Sequence, residues 1–410
     1  MFLELLFFRN QDDSKTSLND HASAISLRYK QSVRKQSLHD RFSDKAVAFM
    51  KSLVGEQLKK QITTDLVDTL PYFKTIKIKD STRFQLPAHL KEHYPGSGGA
   101  ASGAGVHIQF EFDFLKGEVS DLRVSDAKRQ DSTDASETLQ MINKGDLIIR
   151  DLGYFDQKIL NAIDLRQAFY ISRVQPKLTL YNCNSEKIDV RQLAQQMKGK
   201  GISQMEMLIT TNEIKKPVRL FVELLPDEII SRRMAKVRKE AVKKGRNVSK
   251  DYQAYATLNL FITNAPSKAL SMSQARNLYR LRWQIELRFK AWKSFCQLHK
   301  VKKMNRYRFE CYLYAKLLYL LVHWQIACNF MSICWQGTAR LISINKFYKI
   351  STDHVLLLRE SILGGTSALI NHLENLYSIS KTHLLLERRK NKLGAEEILL
   401  LFIEKQPKNA

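Results

Sequence analysis

One predicted helix, over residues 271–305, carries four polar side chains on one face, among them a carboxylate that could hold a metal. They are Tyr279, Arg282, Glu286 and Lys293, at offsets of 0, 3, 7 and 14 residues. At about 100° per residue, all four project within an arc of roughly 60°. Glu286 is the only acid among eleven Lys and Arg residues between positions 276 and 308. We therefore expect it to stay ionised, able to hold a metal. The alternative is an exposed helix with an ordinary Arg282–Glu286 ion pair.

Two aspartates stand at the ends of predicted strands. In FKTIKIKDST the alternation of Ile76, Ile78 and Asp80 places Asp80 at the end of the first strand, and DLIIRD ends on Asp151. Between them, VHIQFEFDF and EVSDLRVSDA predict a hairpin, with His107 on the solvent side, and 131–144 a helix. Three strands, a helix and a fourth strand is the order in which a ribonuclease-H-like core begins. Taken singly, either aspartate is more simply a helix cap or a turn residue.

Strands one and four are neighbours in such a core, so the two carboxylates would meet there. Carboxylates at contact range repel each other unless divalent cations neutralise them. With Glu286 as a third oxygen donor, the set could hold two Mg²⁺ ions. Such a site activates a water or a 3′-hydroxyl and stabilises the leaving oxygen in phosphodiester cleavage.

The overall charge also points to a polyanionic partner. The 410 residues contain 66 Lys and Arg against 41 Asp and Glu, a net charge of 66 − 41 = +25. Nucleic acid is the first candidate and an anionic membrane surface the second. Five cysteines without C-x-x-C spacing disfavour a disulfide scaffold and a cysteine zinc site. The apolar stretch 311–335 contains Lys316 and His323, which favours a buried core helix over a membrane span.

A basic helix near 227–250 is a further candidate for DNA contact, although a merely solvated face is the ordinary reading of a charge run. Its candidate residues are Arg232, Arg233, Lys236, Lys239, Lys243 and Lys244. A zinc-peptidase pattern, H-x-x-E-H, also occurs at His89, Glu92 and His93. Prolines at 87 and 95 leave it barely two helical turns, so we do not expect a zinc site.

Four segments together resemble the IS4-family DDE transposases of bacterial insertion sequences, particularly the IS231-like group. They are KDSTRFQLP, YPGSGGAASGAGVHIQFEFD, LIIRDLGYF and YRLRWQIELRFKAWK. The last carries the family's Y-x2-R-x3-E-x6-K pattern. The resemblance implies that Asp80, Asp151 and Glu286 are catalytic metal ligands for two Mg²⁺ ions, with Mn²⁺ as a substitute. It implies that Tyr279, Arg282 and Lys293 bind phosphates near the transposon end. Trp283 is a further DNA-contact candidate, with core packing as its alternative.

The same resemblance implies a cut-and-paste transposase acting as a homodimer on terminal inverted repeats and target DNA. It would work in the bacterial cytoplasm, associated with the nucleoid and not with a membrane. The rival functions are a catalytically silent DNA-binding regulator and a structure-specific nuclease.

The expected fold is α/β, a ribonuclease-H-like core interrupted by a β-rich insertion. Residues 1–70 form a helical, N-terminally shortened DNA-binding region and 71–155 the first part of the core. Residues 156–268 are the β-rich insertion with the basic helix. Residues 269–335 complete the core with the Y-R-E-K helix, and 336–410 form a C-terminal helical region.

Overall fold

The computed structural model describes residues 2–8, 16–62, 72–98, 103–154, 156–176, 178–211, 214–243, 245, 247–388 and 393–404. They divide into two compact units. The first unit comprises Met1–Asp68, Asp80–Arg129 and Trp283–Ala410, and the second comprises Thr69–Lys79 and Gln130–Arg282. The expected boundary between residues 70 and 71 lies outside the described residues.

Helices form the N-terminal part of the first unit, as the sequence predicts. They are α1 (Phe2–Phe7), α2 (Leu18–Tyr29), α3 (Lys35–His39) and α4 (Asp44–Lys59). α4 begins at a capped turn, because the Ser43 side chain accepts a hydrogen bond from the Ala46 N–H at 3.3 Å. Such a cap satisfies one of the amide groups that a helix leaves without a partner at its first turn.

The first three strands are β1 (Thr75–Gln85), β2 (Gly105–Asp113) and β3 (Val119–Asp126). β2 and β3 form the predicted antiparallel hairpin, and β2 neighbours β1. The prediction that the first strand ends at Asp80 is wrong, since β1 continues for five further residues. β1 can continue because it keeps β2 as a hydrogen-bonding neighbour after its pairing with the next strand has stopped.

The polar side chains of β2 are also buried, contrary to the expectation for His107. Strict alternation places His107, Gln109, Glu111 and Asp113 on the face opposite the apolar residues, yet each is at most 2% exposed. Alternation predicts a half-solvated strand only when one face of the sheet meets water. Here both faces of β2 are covered.

The next elements are α5 (Asp131–Glu137), β4 (Asp146–Arg150), α6 (Gln157–Leu165) and β5 (Phe169–Arg173). β4 pairs in parallel with both β1 and β5. The segment ILNAIDL, which lies in the predicted β-rich insertion, is the helix α6 and not a strand. The Asp156 side chain caps it by accepting from the Lys158 N–H at 2.7 Å, and Ile159, Leu160 and Ile163 bury one helical face.

The second unit continues with β6 (Leu180–Tyr181), α7 (Val190–Gln196), β7 (Ile202–Thr211), β8 (Ile214–Leu224), α8 (Asp227–Lys243), α9 (Lys250–Thr257) and β9 (Leu258–Thr263). Its strand order is β1-β4-β5-β9-β8-β7-β6. Ile209, Leu220 and Ile262, on three of these strands, are almost fully buried in its core. The predicted basic helix is α8, which ends at Lys243 and not at residue 250.

Helices complete the chain: α10 (Met272–Leu281), α11 (Trp283–Ser294), α12 (Arg306–Thr338), α13 (Ile344–Asp353), α14 (Val355–Leu363), α15 (Thr366–His383) and α16 (Ala395–Glu404). The prediction of one helix over 271–305 is wrong. The N–H of Arg282 bonds to the carbonyl of Tyr279, three residues back, so the α-helical ladder is interrupted there. The protein is thus mixed α/β, and its Y-R-E-K residues are divided between two helices.

α12 is the one described helix that is long and apolar enough to cross a membrane, with a mean hydropathy of 1.5 in its most apolar part. Most of that part, 61%, is buried inside the fold. The two polar residues that disfavoured a span, Lys316 and His323, are each 2% exposed and lie in the protein interior. The prediction of a buried core helix is confirmed.

Candidate active site

Asp80 and Asp151 each follow a member of the last registered pair of the β1–β4 ladder, with Asp80 inside β1 and Asp151 just beyond β4. That last registered pair is Lys79 with Arg150, so Asp80 follows Lys79 and Asp151 follows Arg150. The Asp80 carboxylate is half-buried and accepts a hydrogen bond from the Ser81 N–H at 2.8 Å. The Asp151 side chain is 44% exposed. Both carboxylates therefore remain partly open to solvent or to a ligand.

Two buried ion pairs fix the first half of β1 in the second unit. Lys77 Nζ lies 2.7 Å from the carboxylate of Asp146 on β4, and Lys79 Nζ lies 2.5 Å from that of Asp134 on α5. Breaking such a pair by removing one partner typically costs about 3–5 kcal/mol. Sequence reasoning missed these lysines, because alternation with Ile76 and Ile78 predicts a solvated face. The available signal in the sequence was that Lys79 immediately precedes Asp80, a candidate metal ligand.

Arg282 and Asp151 are brought together in the second unit. Arg282 Nε lies 3.8 Å from Asp151 Oδ1, and the arginine side chain is 16% exposed. This distance is an ion pair without a direct hydrogen bond. It places the guanidinium beside the Asp151 carboxylate, with that carboxylate still partly exposed.

Tyr279 and Trp283 occupy opposite environments. Tyr279 is 8% exposed and packs its ring against Phe261, 4.7 Å away between centroids. Trp283, the first residue of α11, is 52% exposed and is therefore available for stacking with a base.

Glu286 and Lys293 lie on α11 in the first unit, seven residues apart and hence on one helical face. Both are half-buried. Lys293 Nζ donates to the backbone oxygen of Arg83 at 3.1 Å, which joins α11 to the second half of β1. Burial lowers the pKa of the Lys293 ammonium from its ordinary value.

The opposite side of α11 is anchored by a buried cation that the sequence did not reveal. Arg288 stacks on the rings of Phe112 and Trp324, at 4.6 and 4.9 Å from their centroids, and burial lowers its pKa to about 10. Its Nη1 donates to the carbonyl of Gln284 at 2.6 Å. A guanidinium between two aromatic faces is a strong cation–π arrangement, so Arg288 helps to hold the helix that carries Glu286.

The basic helix α8 has no buried residue, and its cations differ in their surroundings. Arg232 pairs with Glu228, while Arg233 donates to the Leu258 carbonyl at 3.1 Å and its pKa is lowered by burial. The other cations of the predicted DNA contact that the structure describes are exposed; they are Lys236, Lys239 and Lys243. Lys244 lies outside the described residues.

In the described part of the chain, no three His, Cys, Asp or Glu side chains are grouped closely enough to hold a metal ion. By donor type, Asp80, Asp151 and Glu286 fit Mg²⁺, because carboxylate oxygens are the ligands that this ion prefers. The H-x-x-E-H histidines are used otherwise. His89 Nε2 lies 2.7 Å from the Met304 carbonyl, and His93 Nδ1 lies 3.3 Å from the Arg306 guanidinium.

Comparison with known proteins gives a consistent family. The sequence model of the family described as "Transposase DDE domain" matches residues 71–322. The chain is 31% identical over 392 residues to the transposase of insertion sequence element IS231E from Bacillus thuringiensis subsp. finitimus, covering 90% of this chain and 81% of that protein. It is 29% identical over 421 residues to the transposase of IS1151 from Clostridium perfringens, covering 98% and 89%.

Among solved structures, a piggyBac transposase synaptic complex with hairpin DNA aligns with a TM-score of 0.45 and 10% identity. The alignment covers 97% of this chain and 77% of that one. A likeness of this size does not establish a shared fold.

Proposed function

The chain belongs to the DDE transposases of insertion sequences, in the IS231-like group of the IS4 family, and from this we propose that it excises and inserts its own element. In this proposal it binds the terminal inverted repeats, cuts the DNA at the element's ends and joins the freed 3′-hydroxyls to target DNA. It acts as a homodimer on paired ends, in the bacterial cytoplasm at the nucleoid.

The observation that carries this proposal is the register of β1 and β4. Parallel strands run in the same direction, so the residues that follow a registered pair lie at the same end of the two-stranded ladder. The two that follow Lys79 and Arg150 are Asp80 and Asp151. The strand sequence β3-β2-β1, continued from β1 by β4 and β5, supports a ribonuclease-H-like core. In this proposal α6 and β5 belong to the core, so the insertion, predicted over 156–268, would begin after β5 and contain β6–β9, α8 and α9.

Asp80, Asp151 and Glu286 would hold two Mg²⁺ ions, which polarise the scissile phosphate and lower the pKa of an attacking water or hydroxyl. The basic side chains of the protein would bind the DNA phosphates. Arg282, beside Asp151, would bind and orient a phosphate oxygen through its planar fork. Lys293 would add a point charge on the same helical face as Glu286.

The DNA surface would extend beyond these residues. Trp283 is exposed enough to stack on a base, whereas Tyr279 packs on Phe261 and would reach a phosphate only through its hydroxyl. The exposed lysines of α8 would neutralise phosphates without reading sequence. The N-terminal helices α2–α4 remain our candidate for recognising the repeats.

The decisive experiment incubates purified protein with Mg²⁺ and linear DNA that carries the element's inverted repeats. Four variants accompany the wild type: Asp80→Asn, Asp151→Asn, Glu286→Gln and the control Glu374→Gln on the exposed surface of α15. We expect the wild type and the control to nick at the repeat ends and to join 3′-ends to a target plasmid. The three site variants should retain binding and lose at least 100-fold in cleavage rate.

Each other outcome identifies a rival. Repeat binding without cleavage, equal in all five proteins, would mean a silent regulator. Cleavage that depends on Glu286 without any joining of ends would mean a nuclease. Cleavage that survives all three substitutions would overturn the assignment of these carboxylates.

A further inference from the structure

Arg83 connects three segments of the first unit at one point on the surface. It lies on β1 three residues after Asp80, and its side chain is exposed. Its Nη2 donates to the carbonyl of Arg129, just beyond the end of β3, at 3.0 Å. Its own carbonyl accepts from Lys293 Nζ on α11 at 3.1 Å. These hydrogen bonds fix the Arg83 side chain against the end of β3 and place the Lys293 ammonium at the Arg83 backbone.

Three basic side chains of these segments have no carboxylate as a direct partner among the described residues. In the described ranges, neither Arg83 nor Lys293 nor the exposed Lys128 forms an ion pair. The acid nearest in sequence, Asp126, uses its Oδ1 to accept the Lys128 N–H at 2.9 Å, which fixes the turn after β3. Like charges held together raise the local potential and favour an anion.

The guanidinium of Arg83 retains most of its hydrogen-bonding capacity. Arginine has five N–H donors in a planar fork, and the bond to Arg129 uses one. Such a fork matches the oxygens of a phosphate, which it binds by two parallel hydrogen bonds. The chemistry of this surface therefore fits a phosphodiester backbone.

We propose that Arg83 binds a backbone phosphate of the DNA beside the one that is cut, as an additional positioning residue of the proposed transposase site. Three residues of strand span about 10 Å and place the two side chains on opposite faces of β1, so Arg83 and Asp80 would contact different phosphates. Arg83 therefore fixes the position of the DNA strand along β1. Lys293 donates to the Arg83 carbonyl and so connects this position to α11, the helix that carries Glu286. This inference depends on the proposed function for the identity of its ligand.

The test measures binding of a repeat-end duplex at several salt concentrations in Ca²⁺, without turnover. Arg83→Gln is compared with the wild type and with Arg166→Gln. Arg166 is a matched control, because it is also exposed and also donates to a backbone carbonyl, that of Ala162 at 3.2 Å, but in the second unit. The slope of log K against log salt should become less steep by about 0.9 in Arg83→Gln, the effect of one lost phosphate contact. The slope of Arg166→Gln should not change.

A second measurement identifies the phosphate. Single neutral methylphosphonates are placed in turn along each strand near the repeat end. One position should weaken the wild type several-fold and leave Arg83→Gln unaffected, and it should lie next to the cleavage site. Thermal melting of both variants excludes misfolding as the cause.

The outcomes separate this inference from the function on which it rests. An unchanged salt slope, or equal sensitivity of both proteins to every methylphosphonate, would overturn the role of Arg83 even if the wild type cleaves. A reduced slope in a protein that does not cleave would support the phosphate contact while the transposase proposal fails.

Discussion

At the scale of single residues, the cations of β1 change character at Asp80. Before it, Lys77 and Lys79 are buried and each is neutralised by a carboxylate within 2.7 Å. After it, Arg83 is exposed, and its side chain donates to a backbone carbonyl, that of Arg129. The first two cations are thus structural, whereas the third can serve a ligand.

Lys293 leads to a testable pH dependence. Burial lowers its pKa, so it loses its charge at a lower pH than an ordinary lysine, whose pKa is about 10.4. If it binds a phosphate, DNA affinity should fall roughly three- to tenfold as pH rises from 7.5 toward that value. Lys293→Arg should remove this fall, because arginine stays charged. The measurement is fluorescence anisotropy of labelled repeat-end DNA across the pH range.

Lys293→Met is the matched control, since it lacks the charge at every pH. Its affinity should be low throughout and should not respond to alkaline pH. A wild type whose affinity follows the same curve as Lys293→Arg would contradict a contact between Lys293 and DNA.

At the scale of secondary-structure elements, the β2–β3 hairpin depends on one glycine. Gly117 has a φ of +67°, and a Cβ there would lie 2.8 Å from the sulfur of Cys328 on α12. Its carbonyl also accepts from Trp324 Nε1 at 2.6 Å. Gly117→Ala should therefore destabilise the protein by about 2 kcal/mol, from backbone strain and overpacking together. Chemical denaturation measures this.

Gly55, in the middle of α4, provides the control. A Cβ there would meet no atom within 4 Å, and alanine is the better helix former by about 1 kcal/mol. Gly55→Ala should be neutral or stabilising. Equal destabilisation by both changes would contradict the role given to Gly117.

A buried histidine makes the packing of α1 on α12 sensitive to acid. His323 stacks on Tyr319 and faces Phe7, and burial lowers its pKa from 6.5 to about 4. The unfolded chain therefore binds this proton more readily than the folded chain. The contribution of neutral His323 to the free energy of unfolding is complete above pH 6.5, and it falls by about 3 kcal/mol as the pH drops toward 4.

We expect His323→Phe to be less sensitive to acid than the wild type, with a smaller loss of melting temperature between pH 7 and pH 4.5. The exposed His354 is the comparison, and His354→Gln should behave as the wild type does. If the two variants show the same acid dependence, another group controls it.

The elements were predicted well where local pattern decides them and poorly where tertiary context does. Strands β1 to β4 and the start of α4 follow from alternation and capping. The break at Arg282 could not be predicted, because the sequence around it favours helix on both sides. His107 was placed wrongly because alternation does not show whether the second face of a sheet is covered. For the candidate site, the sequence supplied Asp80, Asp151 and Glu286, but not the supporting cations Lys79 and Arg288.

At the scale of the whole molecule, the net charge of +25 opposes folding and favours DNA binding. The two effects respond to salt in opposite directions. Salt screens the mutual repulsion of the positive charges, so it should stabilise the chain alone. Salt also weakens DNA binding, because the release of counterions from DNA is less favourable at high salt. The stabilisation that bound DNA gives to the folded state should therefore decrease.

Melting temperatures with and without DNA should therefore converge as salt rises. In 50 mM NaCl, a saturating non-specific duplex should raise the melting temperature by about 2–5 °C, the effect expected for a ligand at roughly 100 times its Kd. By 500 mM NaCl the free protein should melt higher than in low salt, and the addition of DNA should no longer matter. Poly-glutamate is the control for a flexible polyanion, and it should stabilise less, since duplex DNA carries a denser array of charges, about one per 1.7 Å of helix axis. A free protein that melts lower as salt is added would mean that exposed ion pairs such as Arg191–Asp251, and not repulsion, dominate the salt response.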